Sequence, residues 1–150
     1  MSIYIHKSHN VSLLIYHFVC PTKYHRVVLT QPVDLSIKEI CLEIAKRYEI
    51  HFLEIGTDDD HVHFLIQSIT TLTPQRIIQI VKSLTAREIF KQHPEVKNQL
   101  WGGEFWSKGY FVSTVGRSNS ENAVRLYVKS QGQEKQYTEL LKNQQTLFDH

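Results

Sequence analysis

The residues best suited to chemistry in this 150-residue chain are two histidines one residue apart, His61 and His63, entered through three aspartates, Asp58, Asp59 and Asp60. The run D-D-D-H-V-H-F-L-I reads as an acidic turn feeding a strand. Side chains alternate along a strand, so His61 and His63 project together while Val62, Phe64 and Ile66 face the other way. Two imidazoles on one face of a sheet, backed by an apolar face, can hold a divalent metal rigidly. The chain has nine histidines, so the plain alternative is a chance pair on a half-solvated strand, with Asp60 a turn former.

A second pair of candidates lies further on. Tyr127 and Gln131 share one face of a predicted helix, one turn apart. Helical tyrosines are more often core aromatics than nucleophiles, and Gln131 could equally cap the helix end. Arg125 and Lys129 flank Tyr127, and cations there favour both phosphate binding and the phenolate form of a side chain whose ordinary pKa is about 10.

These residues need elements to position them. Val11 to Cys20 is apolar and β-branched and is closed by Pro21, the pattern of a buried strand. The connection that follows carries Lys23, Tyr24, His25 and Arg26, either a solvated loop or a phosphate contact. Apolar residues at Leu35, Ile37, Ile40, Cys41, Ile44 and Ala45 predict a helix over 34–48, and the alternation over 50–57 predicts a strand forming a hairpin with the histidine strand. Thr73-Pro74 opens a second helix running to about Gln92, where His93-Pro94 stops it. Its cations, Lys82 and Arg87 among them, are a solvated face or a nucleic-acid surface. A loop bearing Trp101 and Trp106 leads to a strand over 109–115, then to a helix over about 119–131 ended by Gly132. The order strand, helix, strand, strand, helix, strand, helix predicts an α+β fold: a ferredoxin-like or RRM-like split βαβ sandwich with an appended tyrosine-bearing helix. In that topology the histidine strand is central, and its histidines occupy the face away from the two crossover helices.

Composition bounds the class. With 41% hydrophobic and 21% charged residues, the chain reads as one globular domain over 1–150, with a core of about 10–132 and a C-terminal helix or tail over 133–150. No window is apolar for long enough to cross a bilayer and no leader pattern opens the chain, so a soluble cytoplasmic protein is expected. Cys20 and Cys41 are too few for a disulfide scaffold or a four-cysteine zinc site. The net charge of +2 neither requires nor excludes a polyanionic partner.

Three separated segments, D-H-V-H-F-L-I, L-W-G-G-E-F-W-S-K-G-Y-F-V-S-T-V-G and A-V-R-L-Y-V-K-S-Q, together resemble the single-tyrosine HUH transposases, the TnpA proteins of bacterial insertion sequences that move as single-stranded DNA. The similarity extends back to T-K-Y-H-R-V-V-L in the first strand and its connection. The resemblance implies that His61 and His63 are paired metal ligands, Tyr127 the nucleophile and Gln131 a third ligand. It implies Mg2+ or Mn2+ as cofactor, hairpin-bearing single-stranded DNA as substrate, and a homodimer in which the tyrosine helix of one subunit can complete the site of the other. Cleavage would pass through a 5′-phosphotyrosine, near the nucleoid of a bacterium or archaeon. Lys23, Tyr24, Arg26, Lys82, Arg87, Arg125 and Lys129 are the candidate DNA contacts. Two departures stand out: His25 occupies a position where arginine is common, and the tail after Gly132 has no clear counterpart. Competing readings are a related HUH nickase, relaxase or domesticated hairpin-processing relative, and a non-catalytic RRM-like nucleic-acid-binding module.

Overall fold

The computed structural model describes residues 5–6, 11–12, 14–100 and 103–115. The predicted Tyr127 helix and the tail, with Tyr127, Gln131, Arg125 and Lys129, lie outside the described residues, as does Trp101. In chain order the elements are β1 (Ile5–His6), β2 (Val11–Ser12), β3 (Leu14–Pro21), α1 (Gln31–Arg47), β4 (Ile50–Thr57), β5 (His61–Ser68), α2 (Pro74–Gln92), α3 (Pro94–Gln99) and β6 (Phe111–Val115). The main sheet has the order β4-β5-β3-β6, and every neighbouring pair is antiparallel. Because β3 and β4 both run antiparallel to the β5 between them, β3-α1-β4 is a split βαβ unit, the ferredoxin-like arrangement.

Local chemistry accounts for the element boundaries and for three departures from expectation. The predicted first strand divides, with Val11–Ser12 pairing to Ile5–His6 as a separate two-stranded ribbon while Leu14–Pro21 enters the sheet. Helix α1 starts at Gln31, earlier than the apolar stripe indicated, because Pro32 suits the first helical turn, where an N–H would be unsatisfied anyway. His93-Pro94 ends α2 but does not end helicity. His93 breaks the helix at φ −130° and ψ 73°, and Pro94 then opens α3. Thr73 caps α2 as its sequence indicated, its Oγ1 accepting from the Arg76 N–H at 3.1 Å.

The core lies between the sheet and the helices. Phe18, Cys20, Val62, Phe64 and Ile66 on the strands pack with Ile37, Ile40, Ile44, Ile77 and Val81 on α1 and α2. Cys20 and Cys41 are both free and buried, and burial pushes the Cys20 thiol up to about 12, so these are inert apolar side chains. Trp106 also belongs to this core: it is 5% exposed, its indole N–H donates to Thr85 Oγ1 at 3.0 Å, and its ring meets Phe64 and Phe105 edge-on. It is a core plug, not a surface on which bases stack.

The opposite sheet face is graded. Ile15, Leu65 and Gln67 are buried, whereas His61 and His63 keep 32% and 20% of their side chains exposed. Glu54, opposite Leu65 where the β4–β5 register shifts, is 3% exposed and neither carboxylate oxygen has a hydrogen-bond partner. Desolvation raises its pKa to about 8, with Lys38 acting in the opposite direction. The folded chain therefore keeps a proton that the unfolded chain releases near 4.5, and stability falls as pH rises from about 4.5 to about 8. Glu54→Gln, neutral at every pH, is expected to match the native chain near pH 5 and to melt on the order of 5 °C higher at pH 8. Parallel thermal melts across that range check the expectation, and unchanged pH dependence would refute it.

Candidate metal centre

Register brings the histidines of two central strands together. Strand β5 pairs with β3 so that His63 lies opposite Val19 and Leu65 opposite His17, which sets His17 diagonally beside His63 on one face. The rings of His17 and His63 are near parallel, 12° apart, with His17 Nε2 at 3.0 Å from His63 Nδ1. On the other side, His61 Nδ1 lies 2.9 Å from Asp60 Oδ1. Each histidine of the pair is thus held from behind through Nδ1, which turns Nε2 outward as the nitrogen that could coordinate an ion, the usual logic of outer partners at metal sites. Burial, with the neighbouring His61 second, lowers the His63 pKa. Burial likewise drives His17 down to about 4. Both rings are therefore neutral near pH 7, as a ligand and its hydrogen-bond partner must be. The hydrogen bond from His61 holds the Asp60 carboxyl below the ordinary carboxylate range.

The two Nε2 atoms converge on a carboxylate that the motif alone did not single out as a ligand. Asp58 Oδ2 is 2.8 Å from His61 Nε2 and 3.7 Å from His63 Nε2. One ligand atom from each of Asp58, His61 and His63 lies within 4.8 Å of the others, the spacing a divalent ion needs. The donor set, two imidazoles and one carboxylate, fits Mn2+ and related ions well and improves the fit to Mg2+ by adding an oxygen. The acidic run before the motif held this signal, since a turn that closes a hairpin returns its first residue beside the start of the next strand. His17 could not be found the same way, because strand register is not written in any single segment. His17→Ala is expected to weaken divalent-ion binding by roughly 10- to 100-fold, measured calorimetrically, because His63 loses the group that fixes its ring.

The connection after β3 is tied to this centre. Thr22, fully buried, donates its backbone N–H to the Asp60 carbonyl at 2.8 Å, and its hydroxyl lies 3.0 Å from the same carbonyl and 2.7 Å from that of Arg26. Its own carbonyl accepts from Ser107 Oγ at 3.0 Å. The next turn holds Tyr24 and His25 at φ 57° and φ 52°, left-handed values that cost roughly 1–2 kcal/mol for each non-glycine residue. Backbone held at that cost is characteristic of functional segments. Tyr24 is 62% exposed, Lys23 pairs with Glu104 at 2.7 Å, and His25 Nδ1 lies 3.7 Å from Asp60.

The predicted contact residues therefore occupy different places. Lys23, Tyr24 and Arg26 cluster on the turn beside Asp60. Lys82 is drawn inward from α2, its ammonium donating to the carbonyls of Ser107 at 2.6 Å and Lys108 at 3.3 Å, so it anchors the loop before β6. Arg87 is exposed on the helical layer, across the sheet from the histidines, in a groove between α1 and α2.

Comparison with known proteins agrees with this architecture. The family described as "Transposase IS200 like" matches residues 10–131. The ISDra2 transposase TnpA of Deinococcus radiodurans is 32% identical over 120 residues, covering 77% of this chain and 82% of that protein. The transposase for insertion sequence element IS200 of Salmonella typhimurium is 25% identical over 126 residues, covering 84% of this chain and 82% of its own. The crystal structure of a Deinococcus radiodurans R1 protein assigned as a transposase superposes with a TM-score of 0.67 at 26% identity, covering 85% of this chain and 98% of that one. Family match, curated relatives and fold converge: this chain belongs to the IS200-like transposases.

Proposed function

We propose that this transposase cuts and rejoins single-stranded DNA at the ends of an insertion sequence through a covalent bond between Tyr127 and a 5′-phosphate. The observation that carries the reading is the convergence of His61 Nε2 and His63 Nε2 on one point, each ring braced from behind by Asp60 or His17. His61 and His63, with Gln131, would hold a divalent cation, Mg2+ or Mn2+, and that ion would supply charge neutralisation at the scissile phosphate. The Tyr127 phenol loses its proton and its oxygen forms a bond to phosphorus. The P–O3′ bond breaks, and the departing oxygen leaves as a 3′-hydroxyl after taking up a proton. Attack by another 3′-hydroxyl reverses the step and joins new ends, so the phosphodiester energy is kept and no ATP is consumed. Arg125 and Lys129 favour the phenolate through their charge.

Recognition of the strand falls to the turn that adjoins the centre. Tyr24 offers an exposed ring for stacking, and Lys23 and Arg26 offer charge to phosphates, with Arg87, Arg125 and Lys129 as outlying contacts. Hairpins at the element ends are the substrate that fits this division between a duplex held at the surface and a single strand delivered to the site. A homodimer is favoured by β6, an edge strand that exposes 56% of Phe111 and 38% of Val112 and pairs, among the described residues, only with β3. Among the described residues no helix is long and apolar enough to cross a membrane, and an enzyme that acts on chromosomal DNA would work at the nucleoid.

The test is incubation with hairpin-bearing single-stranded DNA and Mn2+, followed by denaturing electrophoresis and mass spectrometry. A DNA-linked peptide containing Tyr127, absent when EDTA is present, is the expected product. An adduct on any other residue would overturn the assignment.

A further inference from the structure

We propose that Asp58 is a third protein ligand of the cation, so that the β4–β5 hairpin alone binds the ion without Gln131. The inference rests on the metal-assisted reading above and adds a residue to it. Three observations carry it.

The first is placement. The Asp58 N–H donates to the His61 carbonyl at 2.9 Å, closing the hairpin and fixing the Asp58 backbone beside the start of β5. The carboxylate is thereby brought to the coordinating side of both rings rather than to their backs, where Asp60 and His17 sit.

The second is spacing. Ligand atoms each about 2.1 Å from one cation stand roughly 3.0–3.4 Å apart, for octahedral and tetrahedral angles respectively. The 2.8 Å and 3.7 Å separations of Asp58 Oδ2 from the two Nε2 atoms bracket that range, so rotation of one exposed carboxylate reaches it.

The third is charge. When the proton of His61 sits on Nδ1, towards Asp60, its Nε2 lone pair faces the Asp58 oxygen 2.8 Å away. A carboxylate oxygen and a ring nitrogen at that distance are joined either by a proton or by a cation between them, and the Nε2 of His63 on the same side lets a cation engage all three atoms at once. Asp60 is excluded from the same role because its oxygen is engaged on the Nδ1 side.

Such a site would be assembled by neighbouring residues of one hairpin, so ion binding and delivery of the tyrosine are separable events. The experiment is titration of the full-length chain with Mn2+ in the absence of DNA. Free ion is followed by paramagnetic resonance and heat by calorimetry, for the native chain, Asp58→Asn, Asp58→Ala, Asp58→Glu, Gln131→Ala and His63→Ala. Thermal melts accompany each variant, and Asp58, with 63% of its side chain exposed, is expected to tolerate replacement. Asp58→Asn and Asp58→Ala should both weaken binding by at least about tenfold, and by more than Gln131→Ala does. Asp58→Glu should recover part of the loss, which a merely structural role would not produce. Native-like affinity in both Asp58→Asn and Asp58→Ala overturns the proposal, as does a loss in Gln131→Ala equal to theirs. Native-like affinity in His63→Ala would instead overturn the metal-assisted reading itself, a distinct outcome.

Discussion

Replacing Tyr127 with phenylalanine is expected to abolish strand cleavage, a fall on the order of 10⁴-fold or more, while hairpin binding and Mn2+ affinity stay near native. The size follows from the role. In a covalent mechanism the nucleophile has no partial substitute, and phenylalanine retains the ring while removing the only atom that can bond to phosphorus. Binding should persist because, on the proposed mechanism, phosphate contacts would be spread over several cations and the ion would be held by other side chains. Quantifying cleaved strand on a denaturing gel, with gel-shift and calorimetric controls, separates the outcomes. Residual cleavage within tenfold of native would mean that another hydroxyl attacks, and an equal loss of hairpin binding would mean that Tyr127 serves the fold.

How much of this was legible in the sequence depended on whether a feature was local. The hairpin from Ile50 to Ser68, helix α2 with its Thr73 cap, and the shared face of His61 and His63 followed from periodicity and turn chemistry within single segments. So did the strand order, since the succession of elements constrains a split βαβ sheet to few alternatives. What escaped is non-local. His17 is 46 positions from His63, and only the antiparallel register of β3 and β5 sets them side by side. Nothing local marks Thr22, yet it joins the turn through the carbonyl of Arg26, the carbonyl of Asp60 and the loop at Ser107. Asp58 was visible as a turn former, but whether a turn residue points at the ligands or away from them is decided by hairpin geometry. Lys82 illustrates the converse: a cation on a helix reads as surface charge until packing shows its ammonium donating to two backbone carbonyls.

The same geometry sets unequal expectations for the two histidines. His61→Ala and His63→Ala should each reduce cleavage on the order of 10³-fold, since on the proposed mechanism each would remove a ligand and with it charge neutralisation at the phosphate. Their structural costs differ. His63 is 20% exposed, stacks near-parallel on His17 and pairs with its Nε2, so truncation strips a contact from the middle of the sheet. A loss of roughly 1–2 kcal/mol in stability is expected there. His61 is 32% exposed at the strand's start, where its ring meets the carboxylates of Asp58 and Asp60, so its removal strips polar contacts at the rim of the sheet and little packing. Its melting temperature should fall less than that of His63→Ala, and excess Mn2+ should restore part of its activity, because Asp58 and the braced His63 still offer a carboxylate oxygen and an imidazole nitrogen. Thermal melts and Mn2+-dependent cleavage rates measured on the same preparations decide the matter. A His63→Ala chain that melts like the native protein would deny the His17 brace, and a His61→Ala chain that cleaves normally at low Mn2+ would deny the ligand role on which the cleavage chemistry depends.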